Sequence, residues 1–324
     1  MISLKDLFTK EVPVFLAPMA GVTDAPFRQM VTKFGASAVV SEMVSSEALV
    51  RNSQKTYKRL VNDSDLKIMQ IVGADPEKMA ESAKINADCG ADIIDINMGC
   101  PAKKIINSEA GSALMKNEKL AVSIAEAVVN AVKIPVTLKM RLGWDSDHKN
   151  CLTLAKQFEQ VGIQMLTIHC RTRNQMYTGS AKWDEIYSLK DIIQIPYLCN
   201  GDIKNFEDAK TALTQSRASG IMIGRAALGK PWLLQQIREA INGQIVTQTP
   251  SIEEQYEIVL QHFNKTIDFY GELHGIKIFR KHVCWYSAGM HGASNFREQI
   301  NKIEEKNEVL ELIARFYESA INKE

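Results

Sequence analysis

Asp92-Ile93-Ile94-Asp95-Ile96, followed at once by Asn97-Met98-Gly99-Cys100-Pro101, is a short apolar run that ends on polar residues and an abrupt exit. A run of this kind suits a strand covered on both faces, as parallel strands are, because a strand with one wet face alternates apolar and polar. Seven more runs read the same way. They are Val14–Ala17, Ala38–Ser41, Lys67–Ile71, Val136–Met140, Met165–His169, Tyr197–Asn200 and Gly220–Gly224. Segments with helical spacing lie between them, such as Met79, Ala83, Ile85 and Ala87, then Leu120, Ile124, Ala127, Val128 and Val132. Eight strands alternating with helices predict an α/β fold, a closed parallel (β/α)8 TIM barrel. The alternative is an open doubly wound sheet, but no Gly-x-Gly-x-x-Gly follows the first strand to support it.

Polar residues stand where the strands end: Gln70, Asn97, Lys139, His169, Asn200 and Arg225. A barrel focuses its C-terminal strand ends on one site, so these six are candidates for that site. The last two loops read Asn200-Gly201-Asp202 and Gly224-Arg225, the pair that commonly forms a phosphate pocket in barrels. Their glycines let backbone N–H groups approach phosphate oxygens, and Arg225 supplies a charged fork. The first strand runs into Pro18, Met19 and Ala20, where small residues let a flat ligand lie against the main chain; a simple turn is the competing account. Gly99 and Pro101 hold the Cys100 thiol near the barrel mouth. A nucleophile there would want a close base and a metal would want companion ligands, whereas a proton donor needs only reach.

After Pro231-Trp232 the rhythm changes to helices alone, starting near Ser251, around Ile276–Trp285 and over Phe296–Phe316. We therefore expect a barrel domain over 1–244 and an all-helical C-terminal domain over 245–324. The formal net charge is +1, from 39 basic and 38 acidic residues, so any basic surface must be local. Leu273 to Arg297 is such a stretch: it has no acid, and carries His274, Lys277, Arg280, Lys281, His282, His291 and Arg297 beside Phe279, Trp285 and Tyr286. It is a candidate phosphate track with stacking groups; a helix with a solvated basic face and a buried aromatic face is the ordinary account. No leader or membrane span is expected, and the 6 cysteines include no Cys-x-x-Cys pair, so neither a disulfide framework nor a metal site is expected.

Asn97-x-Gly99-Cys100-Pro101, together with the Pro18-to-Asp24 start, Gln70, Lys139, His169, Asn200-Gly201-Asp202 and Gly224-Arg225, resembles the dihydrouridine synthases, flavin enzymes that act on transfer RNA. The likeness runs in order from Leu16 to Trp232. The segments 279–286 and 292–297 are similar to the bacterial B-type branch. The resemblance implies FMN as cofactor, NADPH as reductant and a D-loop uridine of tRNA as substrate, in a cytoplasmic, monomeric enzyme. It implies that Pro18, Met19 and Ala20 lie along the flavin, that Gln70 meets its pyrimidine edge, and that Lys139 and His169 stand beside it. Asn200, Gly201, Asp202, Gly224 and Arg225 would hold the ribityl phosphate. Hydride would pass from flavin N5 to uracil C6, and Cys100 would protonate C5. Asn97 is a candidate ligand for the uracil edge; Arg171 is another, which an ion pair would explain equally well. Lys277, Arg280, Lys281 and Arg297 would meet the RNA.

Three other readings stay open on the sequence. One is a flavin-dependent dehydrogenase of a free pyrimidine, of the dihydroorotate type. Another is a non-catalytic RNA-binding protein built on a barrel. The last is a Schiff-base aldolase using Lys139.

Overall fold

The computed structural model describes residues 4–50 and 66–322. They divide into two compact units, residues 1–226 with 234–246, and residues 227–233 with 247–324.

The first unit is built on nine parallel strands: β1 Val14–Leu16, β2 Ala38–Val39, β3 Val44–Ser45, β4 Ile68–Val72, β5 Ile93–Met98, β6 Val136–Arg141, β7 Met165–His169, β8 Tyr197–Asn200 and β9 Gly220–Ile223. The sheet order is β2-β1-β9-β8-β7-β6-β5-β4-β3. Two links close it. β1 pairs with both β2 and β9, and the bridge Val40↔Ile68 joins the β2 stave to β4, with the Ser41 N–H donating to Ile68 O at 2.9 Å. β2 and β3 are therefore two pieces of one barrel stave, interrupted over 40–43. The eight expected strands form a barrel, and Val44–Ser45 is the addition.

Local chemistry explains where the helices start. Asp75 accepts from the Glu77 and Lys78 N–H groups, and Pro76 occupies the first position of the Pro76–Asp88 helix. Asn117 caps the Glu118–Ala131 helix, whose Ala121, Ile124, Ala125 and Val128 are buried at three- and four-residue spacing. Asp24 caps the Ala25–Lys33 helix, so the Pro18–Thr23 segment is a turn that ends in a helix start.

The inside of the barrel is layered. At the N-terminal end of the strands Phe15, Ala38, Val40, Ile68, Ile93, Met165, Leu198 and Met222 pack together with Leu4, and Leu7 and Phe8 lie against them. Residues before the first strand thus help fill the apolar end. Two positions further along, β4, β5, β7 and β8 carry Gln70, Asp95, Thr167 and Asn200, and there the lining turns polar.

The second unit is helical: Ile252–Tyr270, Glu272–Tyr286, Ala293–Ile300 and Lys306–Ile321. Ser251 and Glu254 form a reciprocal capping box at its first long helix. The single helical stretch expected over Phe296–Phe316 is two helices, broken at Asn301–Glu305. Arg280 Nη2 donates to Ile303 O at 2.7 Å there, and Phe296 stacks on Phe316 with ring centroids 4.2 Å apart. Among the described residues no helix is long and apolar enough to cross a membrane.

Candidate active site

Strand register assembles the site. Gln70 lies beside Asp95, Asp95 beside Thr137, Asn97 beside Lys139, Lys139 beside Thr167, Arg141 beside His169, and His169 beside Asn200. Side chains alternate along a strand, so residues two apart share a face. This register therefore raises a buried polar layer above the apolar plug.

The layer is wired together. Thr137 Oγ1 donates to Asp95 Oδ1 at 2.6 Å, and Gln70 Nε2 donates to Asp95 Oδ2 at 2.7 Å. Asn97 Nδ2 donates to Gln70 Oε1 at 2.7 Å. Asn97 Oδ1 in turn accepts from the N–H groups of Gly99 at 3.1 Å and Cys100 at 2.9 Å. On the other side Lys139 Nζ donates to Asn200 Oδ1 at 3.0 Å, and Asn200 Nδ2 donates to Met222 O at 2.7 Å.

Cys100 is clamped on both sides of its Cα. Its N–H meets Asn97, and its carbonyl accepts from Ser112 Oγ at 2.9 Å and from the Ser112 N–H at 3.1 Å. Arg141 Nε donates to Gly99 O at 2.8 Å, and its Nη1 donates to Thr172 O and Met176 O, tying this loop to the one after β7. Burial pushes the half-buried Cys100 thiol up, against the smaller pull of the Ala102 N–H and of the Arg141 and Lys139 charges, so it keeps its proton at neutral pH. Burial lowers Lys139 to about 8, with the Arg141 charge adding to the effect and Asp95 opposing it. Burial and the surrounding cations hold His169 well below its ordinary value, so it is a neutral ring.

The phosphate end is more exposed. Gly201 and Asp202 both have positive φ, 120° and 56°. A side chain at Gly201 would start 3.0 Å from Ala181 Cβ and 3.2 Å from His169 Cδ2, a tight fit at a φ that already favours glycine. The Asp202 carboxylate accepts from Arg171, from Arg225 at 3.3 Å and from the Ala181 N–H at 2.9 Å. Partial burial pushes it up, but those donors outweigh burial and leave it below the ordinary carboxylate range. A carboxylate has no hydrogen to offer a phosphate. Asp202 instead holds Arg225, whose guanidinium also lies 4.9 Å from the Tyr177 ring centroid.

The chain matches the family model described as "Dihydrouridine synthase (Dus)" over residues 15–322. Among curated proteins, the "Probable tRNA-dihydrouridine synthase" of Rickettsia bellii is 48% identical over 314 residues, covering 96% of this chain and 96% of that protein. "tRNA-dihydrouridine synthase B" of Pseudomonas aeruginosa is 46% identical, covering 94% of this chain and 92% of its own length. The chain belongs to the dihydrouridine synthase family. The flavin-dependent oxidoreductase class read from the sequence stands with that membership. Solved structures carry the fold alone: a 2-naphthoyl-CoA reductase matches with TM-score 0.53 at 12% identity over 71% of this chain, and histamine dehydrogenase from Rhizobium with TM-score 0.52 at 12% identity over 78%. The chain spans 50% and 48% of those two chains.

The donor set fits a flat, anionic flavin. A lysine ammonium has three N–H groups, and among the described residues a hydrogen-bond acceptor, Asn200 Oδ1, is assigned to one of them. An anionic ligand would satisfy the rest and offset the burial. Pro18 and Met19 are half-buried and Ala20 exposed beyond β1, with Met19 near Gly224 at the end of the neighbouring strand β9.

Other expected residues are placed differently from one another. Arg171 is buried; its Nε donates to Thr178 O, its Nη2 donates to Gly179 O and pairs with Asp202, and its Nη1 lies 3.5 Å from His169 Nε2. It braces the loop around His169. In the helical unit Lys277 is exposed and lies 3.6 Å from Glu304, Arg280 bonds Ile303 O, and Lys281 and Arg297 are half-buried. Phe279, His282 and Tyr286 are buried, so of the three aromatic residues named as stacking groups Trp285 retains partial exposure.

Asp95, Thr137, Arg141, Ser112 and Tyr177 are part of this arrangement and were not anticipated. The first three carried a signal, since each stands two residues from Asn97 or Lys139 on a strand. Ser112 lies on a short 3₁₀ helix and Tyr177 on a loop, and neither shares the strand alternation that marks the other three.

Proposed function

We propose that this chain reduces the C5–C6 double bond of a D-loop uridine in tRNA, with FMN as resident cofactor and NADPH as reductant, as a cytoplasmic monomer. The observation that carries the reading is Cys100: a half-buried thiol that keeps its proton and is clamped by Asn97 and Ser112 at the polar end of the barrel. Lys139, Asn200, Gln70 and His169 would hold the flavin ring system, and Arg225 with the Gly201 and Gly224 loops its phosphate. When bound and reduced, FMN supplies the hydride for uracil C6. The target base must leave its stack to reach the barrel mouth, because the reacting atoms of a stacked base are covered. Cys100 Sγ donates its proton to C5, which a thiol held protonated by burial is suited to do. Asn97 Oδ1 is engaged by two backbone N–H groups and its Nδ2 by Gln70 Oε1 and Met43 Sδ, so its side chain offers the base no acceptor, and an N–H only by giving up the weak sulfur contact. Lys139 provides fixed positive charge where negative charge builds on the ligands.

The test is Cys100→Ala, assayed for flavin content, NADPH-driven flavin reduction and dihydrouridine formation by mass spectrometry. The first two should hold while the third falls by roughly 10²-fold or more, the size of a lost general acid. A parallel loss of all three would make Cys100 a structural residue.

A further inference from the structure

Asp95 is buried beneath the site, outside the set of groups that meet the ligands in the reading above, and both its carboxylate oxygens are occupied. The hydrogen bonds that lead away from it share one direction. Gln70 turns its Nε2 to Asp95 and its Oε1 to Asn97, and Asn97 turns its Nδ2 to Gln70 and its Oδ1 to the N–H groups of Gly99 and Cys100. A carboxylate can only accept, and a backbone N–H can only donate. The two ends of this chain therefore fix both amides between them. Reversing Gln70 would set oxygen against oxygen at Asp95 and NH2 against NH2 at Asn97. Reversing Asn97 would set its NH2 against two backbone donors. Inside a dry layer, groups left facing like groups have no water to turn to.

We propose that Asp95 is a positioning residue, whose carboxylate polarises the Gln70–Asn97 chain and so holds the Cys100 loop in the geometry from which the thiol donates. This rests on Cys100 being the proton donor. The pair to be separated is acceptor and charge, because Asp95 also lies within the field of Lys139. Asparagine separates them. In Asp95→Asn the amide oxygen can still accept from Gln70, and its NH2 can face Thr137, whose hydroxyl can turn from donor to acceptor. The charge is gone and the polarity survives. Asp95→Leu removes both. Asp95→Asn with Thr137→Val removes the acceptor that orients the new amide, and keeps nearly the same volume.

Two readouts follow on the full-length holoenzyme: amide hydrogen exchange at Gly99 and Cys100, which needs no turnover, and the single-turnover rate of dihydrouridine formation. Asp95→Asn should stay within about 3-fold of the parent in both. Asp95→Leu and the Asp95→Asn/Thr137→Val pair should exchange at Gly99 and Cys100 about 10-fold faster and turn over about 10-fold more slowly or worse, the scale expected when a buried hydrogen bond is lost. Exchange in β9 should be unchanged. If Asp95→Leu fails to fold, the double variant decides the matter. Equal losses in Asp95→Asn and the double variant would overturn the proposal in favour of simple charge, and no change in the double variant would overturn it outright. Cys100→Ala in the same assay keeps the failures apart: full turnover there sinks the thiol reading itself, whereas lost turnover with a flat Asp95 series sinks only the relay.

Discussion

Lys139 is the residue whose protonation bears most directly on ligand binding. Burial brings it down to about 8 from an ordinary value of 10.5. The unfolded chain therefore binds more protons than the folded one between those two values, and the Lys139 contribution to stability rises with pH across that window. Below about 8 the fold carries the full desolvation cost of the ammonium, which an anionic ligand can offset. The cation, and with it the attraction for negative charge on the ligand, is present below the folded pKa and lost above it. Flavin reduction by NADPH should accordingly decline on the alkaline side, with an apparent pKa at or above about 8, because a bound anion pushes the ammonium upward. Stopped-flow bleaching of the flavin between pH 6.5 and 10 reads this limb. Lys139→Met should lower the plateau by roughly 10-fold or more, the scale of one hydrogen bond to a charged group, and should abolish the limb. A limb that persists in that variant would assign it to another group.

At the scale of elements, the short 3₁₀ helix Gly111–Lys116 places Ser112 against the Cys100 carbonyl. Gly111 starts it with φ 60°, and a methyl group there would lie 2.8 Å from Ile105 Cγ2 and 2.9 Å from Cys100 O. The second neighbour is backbone and cannot swing aside. Gly111→Ala should therefore destabilise the fold by about 1–3 kcal/mol through strain and overpacking. It should also slow dihydrouridine formation more than flavin reduction, because the displaced atom belongs to the thiol loop; equal slowing of both would contradict that. This helix shows what the sequence could and could not reveal. The β7 and β8 runs appear with the bounds their apolar runs suggest, and Lys139, Asn97 and Asn200 stand on the strands that carry them, because alternation and burial on both faces are local properties. Asp95 was hidden in the same run as Asn97, since its partners Gln70 and Thr137 are set by register between strands far apart in the chain. Val44–Ser45 is too short to show a period. The break at Asn301–Glu305 has no Gly or Pro to announce it and is held by a carbonyl bond from Arg280.

For the whole molecule, a net charge of +1 supplies no general attraction for a polyanion, so RNA affinity must come from local surfaces. On the helical unit, burial of Phe279, His282 and Tyr286 removes most of the stacking surface from the acid-free stretch, and leaves charge as its means of contact. The charges differ in availability. Lys277 faces Glu304 across 3.6 Å with both side chains more than half exposed, and an exposed pair of this kind holds weakly enough to exchange for a phosphate. Arg280 is bound to Ile303 O, so replacing it tests the 301–305 turn and not the RNA. Arg280→Ala should lower the melting temperature, whereas Lys277→Ala with Arg297→Ala should leave it nearly unchanged. That double variant should weaken tRNA binding and make the plot of log affinity against log salt shallower by about 1.4 to 1.8, the loss of two phosphate contacts. Filter binding across a salt series measures the slope. A double variant that binds more weakly with the parent slope would mean that these two cations act through the shape of the helical unit, and the phosphate track would have to be sought among the exposed cations of the barrel loops instead.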